Sequence, residues 1–261
     1  MRSGGVLVLS GAGLSTASGI PDYRGPSSAG RNVQPMTYQE FLRTPEARQR
    51  YWAQSHLGWQ LIGQSQPNAG HRAVAALQRE GLVHGVITQN VDGLHQAGGA
   101  TDVIELHGAL SRVVCLSCDE RTPRAELHQR LTELNPGWAP VAERRPDGDV
   151  ALEDVSGFVT VACLSCGGLL KPDVVFFGEN VPADRVARSF SLTASAASLL
   201  VLGSSLTVRS GYRFVLKAAQ LRIPIAIVNQ GPTRADALAD VRVDAPLGEV
   251  LTELHQGRMS A

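Results

Sequence analysis

The sequence predicts an α/β fold, in which a mostly parallel sheet has helices on both faces and carries a small inserted zinc-binding module. Six short apolar runs bounded by turn-forming residues are predicted strands, at residues 6–9, 83–88, 103–106, 174–177, 199–202 and 225–228. Four stretches have helical periodicity, at residues 71–79, 184–197, 212–221 and 247–255. Because strands that alternate with helices favour a parallel sheet buried on both faces, we expect a Rossmann-like core.

This alternation is interrupted twice. Between about Cys115 and Cys166, charged and proline-bearing sequence such as residues 144–148 replaces the apolar runs. Between residues 25 and 66, turn-rich sequence precedes the aromatic residues Tyr51, Trp52 and Trp59, which indicates a lid or helical cap. We therefore assign residues 1–110 and 168–261 to the Rossmann-like domain, with the insert at about 25–66, and residues 111–167 to the zinc-binding module.

All four cysteines fall into two Cys-x-x-Cys pairs, Cys115 with Cys118 and Cys163 with Cys166. Two such turns complete the tetrahedral sulfur shell that structural zinc prefers. Four unrelated buried thiols and a pair of disulfides are the alternatives, but random placement rarely pairs every cysteine, and a reducing compartment favours metal over cystine. Because a closed four-sulfur shell has no open position for water, we expect a structural metal and chemistry elsewhere.

The composition argues against two kinds of partner. The chain has 261 residues, enough for one substantial core and a small satellite module. Its 24 basic residues balance 24 acidic ones, so net charge does not direct it to nucleic acid or to an anionic membrane.

The apolar runs are too short to span a bilayer, and the first lies too near residue 1 to leave room for a presequence. We expect a cytoplasmic protein.

A glycine-rich turn, Ser10-Gly11-Ala12-Gly13-Leu14-Ser15, follows the first predicted strand and opens a helix-like stretch. Glycines there let backbone N–H groups approach a phosphate, and a helix N-terminus adds a favourable dipole. Tight turns also need glycine without any ligand, so the turn alone leaves both interpretations open. The third glycine of the usual dinucleotide fingerprint is missing, which points away from NAD binding of the hydride-transfer kind.

Polar clusters occur at or just beyond the ends of predicted strands, where open α/β sheets place their ligand sites. They are residues 88–92, 105–108, 203–206 and 228–231, and a fifth cluster, residues 19–25, follows the glycine-rich turn. Helix capping is an alternative role for the polar residues at 204, 205 and 229, because serine and asparagine cap helices routinely. It is a weaker explanation for Asn90, Asp92 and His107.

In this order, the motifs resemble those of the sirtuins, NAD-dependent protein-lysine deacylases, over nearly the whole chain. Within that family the chain is most similar to class II and to the mitochondrial lipoamidase-type sirtuin. Four segments carry the finer similarity: Arg50-Tyr51-Trp52, Leu134-Asn135-Pro136, Pro146-Asp147-Gly148-Asp149-Val150 and residues 170–179.

The resemblance implies an NAD site at the sheet edge. Residues 11–15 would hold the pyrophosphate, residues 203–205 and 229–231 the adenosine half, and residues 89–92 the nicotinamide ribose. The loop that includes Tyr23 and Arg24 would order over NAD. The full set of implied NAD-binding residues is Gly11, Ala12, Gly13, Ser15, Ile20, Asp22, Tyr23, Arg24, Gln89, Asn90, Val91, Asp92, Gly203, Ser204, Ser205, Asn229, Gln230, Gly231 and Leu247.

The resemblance also implies the chemistry, with His107 and Asn90 as catalytic residues. The acyl oxygen of a modified lysine displaces nicotinamide at the ribose carbon, and His107 then deprotonates a ribose hydroxyl that attacks the imidate carbon. Lysine and O-acyl-ADP-ribose are the products. An imidazole suits this step because its ordinary pKa, about 6.5, lets it accept a proton near neutrality.

The substrate is implied to be an acyl-lysine protein or peptide that adds as a strand and inserts its acyl-lysine into an apolar tunnel. The implied substrate-binding residues are Val175, Phe176, Phe177, Gly178 and Tyr51. The desuccinylase-type class carries a Tyr-x-x-Arg pair, and here the nearest match ends in Gln54, so we expect weak desuccinylation. Acetyl, longer apolar, lipoyl-like and methylglutaryl-type acyl groups all remain open.

Other functions stay open beside deacylation. Protein mono-ADP-ribosyl transfer and lipoamidase activity would use the same NAD site. A non-catalytic NAD or ADP-ribose sensor is disfavoured by the joint presence of Asn90, Asp92 and His107, and a zinc-ribbon nucleic-acid binder by the neutral charge. We expect no nucleic-acid or membrane partner, and we favour a monomer.

Overall fold

A six-stranded parallel sheet lies at the centre of the computed structural model, which describes residues 5–22, 35–138, 143–144, 150–152 and 155–259. Its strands, numbered in chain order, are β1 (Val6–Ser10), β2 (Val83–Thr88), β3 (Val103–Glu105), β9 (Ser198–Leu202), β10 (Ile225–Val228) and β11 (Val241–Val243). They lie in the order β11-β10-β9-β1-β2-β3, so the direction of winding reverses between β1 and β9. The prediction of an α/β fold with a parallel sheet is confirmed.

Two small antiparallel sheets accompany the large one. Strands β4 (Gly108–Cys115), β5 (Arg121–Pro123) and β8 (Leu170–Val174) form the first, in the order β5-β4-β8. Strands β6 (Glu143–Arg144) and β7 (Val150–Ala151) pair with each other. Since β4 pairs with β8, the chain enters and leaves the cysteine-bearing region through adjacent strands.

Eight helices are found in the described residues. They are α1 (Tyr38–Arg43), α2 (Pro45–Gly63), α3 (Ala69–Arg79), α4 (Leu94–Ala97), α5 (Arg124–Leu134), α6 (Ala183–Ser195), α7 (Arg209–Gln220) and α8 (Leu247–Met259). The four predicted helices correspond to α3, α6, α7 and α8. None of the helices in the described part of the chain has the length and apolar character needed to cross a membrane.

Local signals explain where the less regular helices begin. Thr37 and Glu40 form a reciprocal capping box at the start of α1, and the Thr44 side chain caps α2, whose first residue is Pro45. Asn68 accepts hydrogen bonds from two backbone N–H groups in the first turn of α3. The segment predicted as a lid or helical cap is therefore helical within residues 38–63.

The large sheet is buried on both faces, and β1 shows why its sequence is continuously apolar. Leu7 and Leu9 pack into one apolar cluster with residues of α7, such as Phe214. Val6 and Val8 face the opposite way, into a second cluster with residues of α3 and α8. All five residues of β1 are buried, as expected for a central parallel strand.

A third apolar cluster joins the two interruptions of the α/β pattern. It contains Tyr51 and Trp52 of α2 together with Val113 of β4, Leu131 of α5 and Phe158. The helical segment and the cysteine-bearing region therefore share one core and form a small lobe beside the large sheet. Most of the segment 146–150 that contributed to the finer resemblance lies outside the described residues, as do Tyr23 and Arg24.

One predicted strand is misplaced. The apolar run at 174–177 was expected to be a strand, but the observed strand, β8, runs from Leu170 to Val174 and belongs to the small antiparallel sheet. After Val174 the chain turns, because the Glu179 carboxylate accepts hydrogen bonds from the Phe176 N–H and from the Lys171 ammonium group. The apolar side chains of this run line a cavity instead of a sheet.

Candidate functional site

The four cysteines form a compact cluster in the small lobe. Their sulfur atoms lie within 4.8 Å of one another, with 3.5 Å between Cys115 and Cys166 and 3.9 Å between Cys118 and Cys163. A tetrahedral zinc ion with Zn–S bonds of about 2.3 Å holds its sulfurs about 3.8 Å apart, so the cluster fits one structural zinc. The Ser117 N–H points at the Cys115 sulfur, and backbone N–H groups lower the pKa of that thiol to about 6, whereas the pKa values of the other three thiols are raised by their neighbours and by burial, so the zinc assignment rests on the geometry.

A separate cavity of about 750 Å³ lies between the carboxyl edge of the large sheet and the small lobe. None of the four cysteines is among its described lining residues. All the predicted NAD-binding, catalytic and substrate-binding residues that the structure describes line this one cavity. Their assembly follows from topology, because the carboxyl ends of parallel strands meet at one edge and a ligand site forms where the winding direction reverses.

The glycine-rich turn packs directly against the loop after β9. The Gly13 N–H donates to the Gly203 carbonyl at 2.9 Å, and the Gly11 N–H donates to Leu202 at 3.0 Å. Gly203 has a φ of +60°, and a Cβ there would lie 2.5 Å from the Leu14 nitrogen. Residues 12–14 and 16–18 form two short 3-10 turns rather than the start of an α-helix. Bare backbone thus forms this wall, so a ligand can approach it closely, although the N–H groups of Gly11 and Gly13 are already bonded within the protein.

Asp92 is held by short hydrogen bonds at the bottom of the cavity. Its carboxylate accepts from the Ser15 hydroxyl at 2.7 Å and from the Leu94 N–H at 2.9 Å. The Asn90 amide in turn donates to Ser15 at 3.0 Å and to the Gly11 carbonyl at 3.1 Å. Burial raises the pKa of Asp92, and these hydrogen bonds oppose the rise. The network joins the end of β2 to the glycine-rich turn in one fixed arrangement.

His107 is held at both ring nitrogens. Nδ1 lies 2.9 Å from the Gln89 carbonyl, and Nε2 lies 2.7 Å from the Ser210 hydroxyl. A carbonyl oxygen can only accept, so Nδ1 carries the proton and Nε2 of the neutral ring carries a lone pair. Burial lowers the pKa of His107 to about 4; the Gln89 bond opposes this, and Arg185 and Arg213 add to it. At neutral pH the imidazole is an uncharged base.

An ion pair between a buried lysine and a partly buried glutamate supports the wall made by residues 175–178. Lys171, only 4% exposed, donates to the Glu179 carboxylate at 3.1 Å, and its ammonium group lies 5.1 Å from the Phe176 ring centre. The Val175 N–H donates to the His107 carbonyl at 2.8 Å. This wall is therefore tied to the residue that carries the imidazole.

The helix α2 contributes Tyr51 to the cavity, where its ring packs edge-on against Phe176 with centres 5.1 Å apart. Gln54 is buried and is not among the described lining residues. The cavity residues that α2 supplies, Tyr51 and Ile62, carry no charge.

Sequence reasoning missed the part of the wall that the start of α7 supplies. Thr207, Val208, Arg209, Ser210 and Arg213 all line the cavity. The signal that could have found them is their position, directly after the polar cluster 203–206, in the first turns of the following helix.

The chain is similar to known proteins of one family. A model of the Sir2 family matches residues 11–210. NAD-dependent protein deacetylase 1 of Streptomyces coelicolor is 61% identical, over 97% of this chain and 85% of that protein. NAD-dependent protein deacetylase 1 of Mycobacterium avium is 52% identical, over 95% of this chain and 90% of that protein.

Solved structures give the same result. A Sir2 protein with a p53 peptide and NAD+ is 31% identical, with a TM-score of 0.77 over 98% of this chain and 94% of that one. A Sir2 protein bound to an acetylated peptide is 28% identical, with a TM-score of 0.75 over the same shares. The sequence, the fold and the placement of the cavity residues together establish that the chain belongs to the Sir2 family of sirtuins.

Proposed function

We propose that this protein is an NAD-dependent protein-lysine deacylase that acts on acetyl-lysine and transfers the acyl group to ADP-ribose. The observation that carries the proposal is the state of His107, an uncharged imidazole whose Nε2 lone pair borders a cavity lined by the whole described set of predicted residues. Family membership and the names of relatives at 61% and 52% identity support the same activity.

The residues of this chain divide the work as follows. NAD, when bound, supplies an electrophilic ribose carbon, a nicotinamide leaving group and the hydroxyl that receives the acyl group. The turn at 11–15 and the loop at 203–205 bind the pyrophosphate and the adenosine half. Asp92 and Asn90 orient the nicotinamide ribose, and His107 takes the proton of the ribose hydroxyl at Nε2. The cysteines hold zinc away from these steps.

The peptide binds along the wall at residues 175–178 with its acyl-lysine directed past Phe176 and Tyr51. The N–H groups of Val175 and Phe176 are already bonded within the protein, and so are three carbonyls of this wall, those of residues 176, 177 and 178. Strand addition therefore uses the remaining backbone groups of the segment. Because α2 supplies only uncharged residues to the cavity, a succinyl carboxylate on this side would be desolvated without a partner, and acetyl is favoured.

We also propose that the chain belongs to class II and is close to the lipoamidase-type sirtuins. Two of the segments that carry this similarity have structural roles. Asn135 is buried and bonds to the Val159 backbone, and Lys171 is buried against Glu179.

The test is an NAD-dependent assay on a panel of acyl-lysine peptides, with nicotinamide release and mass detection of the ribose product. The His107→Ala variant is expected to lose about 10²–10⁴-fold in kcat, the usual contribution of a general base, while zinc content and circular dichroism stay unchanged. His255→Ala, which alters a histidine on α8 that bonds Glu80, is the matched control and should keep wild-type turnover.

Three outcomes would contradict parts of the proposal. Wild-type turnover in His107→Ala would remove this residue from the mechanism. Succinyl-lysine as the preferred substrate would overturn the acyl assignment. Label from NAD that accumulates on protein, with none in O-acyl-ADP-ribose, would identify ADP-ribosyl transfer instead.

A further inference from the structure

We infer that Ser210 is a positioning residue for His107: its hydroxyl fixes the imidazole with Nε2 toward the cavity and keeps this nitrogen unprotonated until a substrate hydroxyl replaces it. The inference rests on the proposed role of His107 as the base. Ser210 lies in the first turn of α7, is partly buried and lines the cavity.

The geometry gives the ring two anchors on different elements. The Gln89 carbonyl, just after β2, holds Nδ1 at 2.9 Å, and Ser210 of α7 holds Nε2 at 2.7 Å. With a bond at each nitrogen, the ring can neither flip nor rotate without breaking one of them. Within the described residues, the bond to Nε2 is the one hydrogen bond found for the Ser210 hydroxyl.

The direction of the Ser210 bond is fixed by the other anchor. Because Nδ1 donates to a carbonyl, Nε2 has a lone pair, so the serine hydroxyl must be the donor. A donor that occupies this lone pair stabilises the neutral ring and opposes protonation. The charged groups that act on the ring are Arg185 of α6 and Arg213 of α7, and both oppose protonation as well.

The serine can give way to the substrate at little cost. Its hydroxyl turns about a single bond, so it can leave Nε2 while the backbone of α7 stays in place. A ribose hydroxyl that takes its place donates to Nε2. In the reaction the ribose O–H bond breaks and its proton moves to Nε2, while Ser210 keeps its own proton.

The test compares Ser210→Ala, Ser210→Thr and, as a matched control, Ser191→Ala, a serine on the exposed face of α6. All are studied as full-length, zinc-loaded protein. The first measurement is nitrogen NMR of the His107 ring without NAD. In Ser210→Ala we expect the Nε2 resonance to move toward the position of an imidazole nitrogen that accepts no hydrogen bond. We also expect the pKa of His107 to rise by about half a unit or more. Ser210→Thr should keep the wild-type signals.

The second measurement is the pH profile of deacetylation. Ser210→Ala is expected to lower kcat roughly 3- to 10-fold, the size of one hydrogen bond, with KM for NAD and peptide within about twofold of wild type. Its acid limb should move to higher pH, because the freed Nε2 is protonated more readily. Ser210→Thr should restore kcat, and Ser191→Ala should match wild type.

Each other result overturns the inference. Wild-type NMR signals and pH profile in Ser210→Ala would show that the hydroxyl does nothing for the ring. A loss as large as that of His107→Ala would make Ser210 a proton relay, and a higher kcat would make it a competitor for the base. If the wild-type protein showed no deacetylation at all, the proposed function would fail, while the NMR arm would still decide whether Ser210 holds the ring.

Discussion

Gly203 is the residue at which two cavity loops come closest. Alanine there would have a left-handed backbone, which costs about 1–2 kcal/mol, and would also collide with the Leu14 nitrogen. We expect Gly203→Ala to lower thermal stability and to raise KM for NAD at least about tenfold, because the turn at 11–15 must shift. Thermal unfolding and NAD titration measure the two effects.

The variant Gly81→Ala separates the effect of backbone strain from the effect of the collision. Gly81 has a φ of +73°, and a Cβ there would have no atom within 4 Å, so this variant carries the backbone strain without the collision. It should lose stability yet keep the wild-type KM for NAD. If both variants raised this KM equally, the close approach of the two loops would not be what matters.

At the same scale, the sequence predicts many of the residues that line the cavity, but neither those at the start of α7 nor their contacts. Residues at strand ends could be grouped in advance because parallel strands end at one edge of a sheet. Ser210 could not, since a serine in the first turn of a helix has the sequence signature of a cap, and its bond to His107 spans 103 positions. The roles of the grouped residues in binding and catalysis stay predictions.

At the scale of elements, Asn135 joins the end of α5 to the chain that returns to the second cysteine pair. Its amide donates to Leu131 at 2.8 Å and to Val159 at 2.9 Å, and its oxygen accepts from the Val159 N–H at 2.6 Å. We expect Asn135→Ala to lower the free energy of unfolding by about 1–3 kcal/mol, because these bonds are lost at a buried site. Urea unfolding provides the measurement.

Gln129→Ala, on the exposed face of the same helix, is the control, and its change should stay within about 0.5 kcal/mol. Equal stability of the two variants would show that the Asn135 bonds contribute nothing. Both variants should keep the KM for NAD, because neither residue is among those that line the cavity.

Strands and helices with a regular pattern of apolar residues could be predicted from the sequence. Elements that depend on packing against distant parts of the chain could not. β2 and β10 are found at their predicted bounds, since each is a short apolar run between turn residues. β11 was not predicted, because it is a three-residue edge strand in which most of the residues are exposed. The error at 174–177 arose because an apolar run can line a cavity as well as a sheet, and periodicity does not distinguish the two.

At the scale of the whole molecule, buried histidines link stability to pH. Burial lowers the pKa of His56 and His71 to about 4 and that of His95 to about 3. In the unfolded chain these histidines have ordinary pKa values near 6.5. Between pH 6.5 and the lowered pKa values, the unfolded chain therefore binds more protons than the folded protein, so stability rises with pH. The contribution of these neutral histidines to stability is fully present above about pH 6.5, and it is lost as the pH falls toward about 4.

We therefore expect the free energy of unfolding to fall between about pH 6.5 and pH 5, by up to about 1.4 kcal/mol per pH unit for each such histidine. Urea unfolding at several pH values measures this, and His95→Gln should reduce the slope. A stability that stayed constant from pH 7 to pH 5 would contradict the assignment of these rings as neutral and buried.

The strand order also sets a schedule for synthesis on the ribosome. β1 pairs on one side with β2 and on the other with β9. Val6 therefore cannot form its pairing with Ser198 until β9 has been synthesised. At about 5–20 residues per second, roughly 10 to 40 s pass between the emergence of the two strands. During that interval one edge of a buried, apolar strand has no neighbour, which makes the nascent chain prone to aggregation.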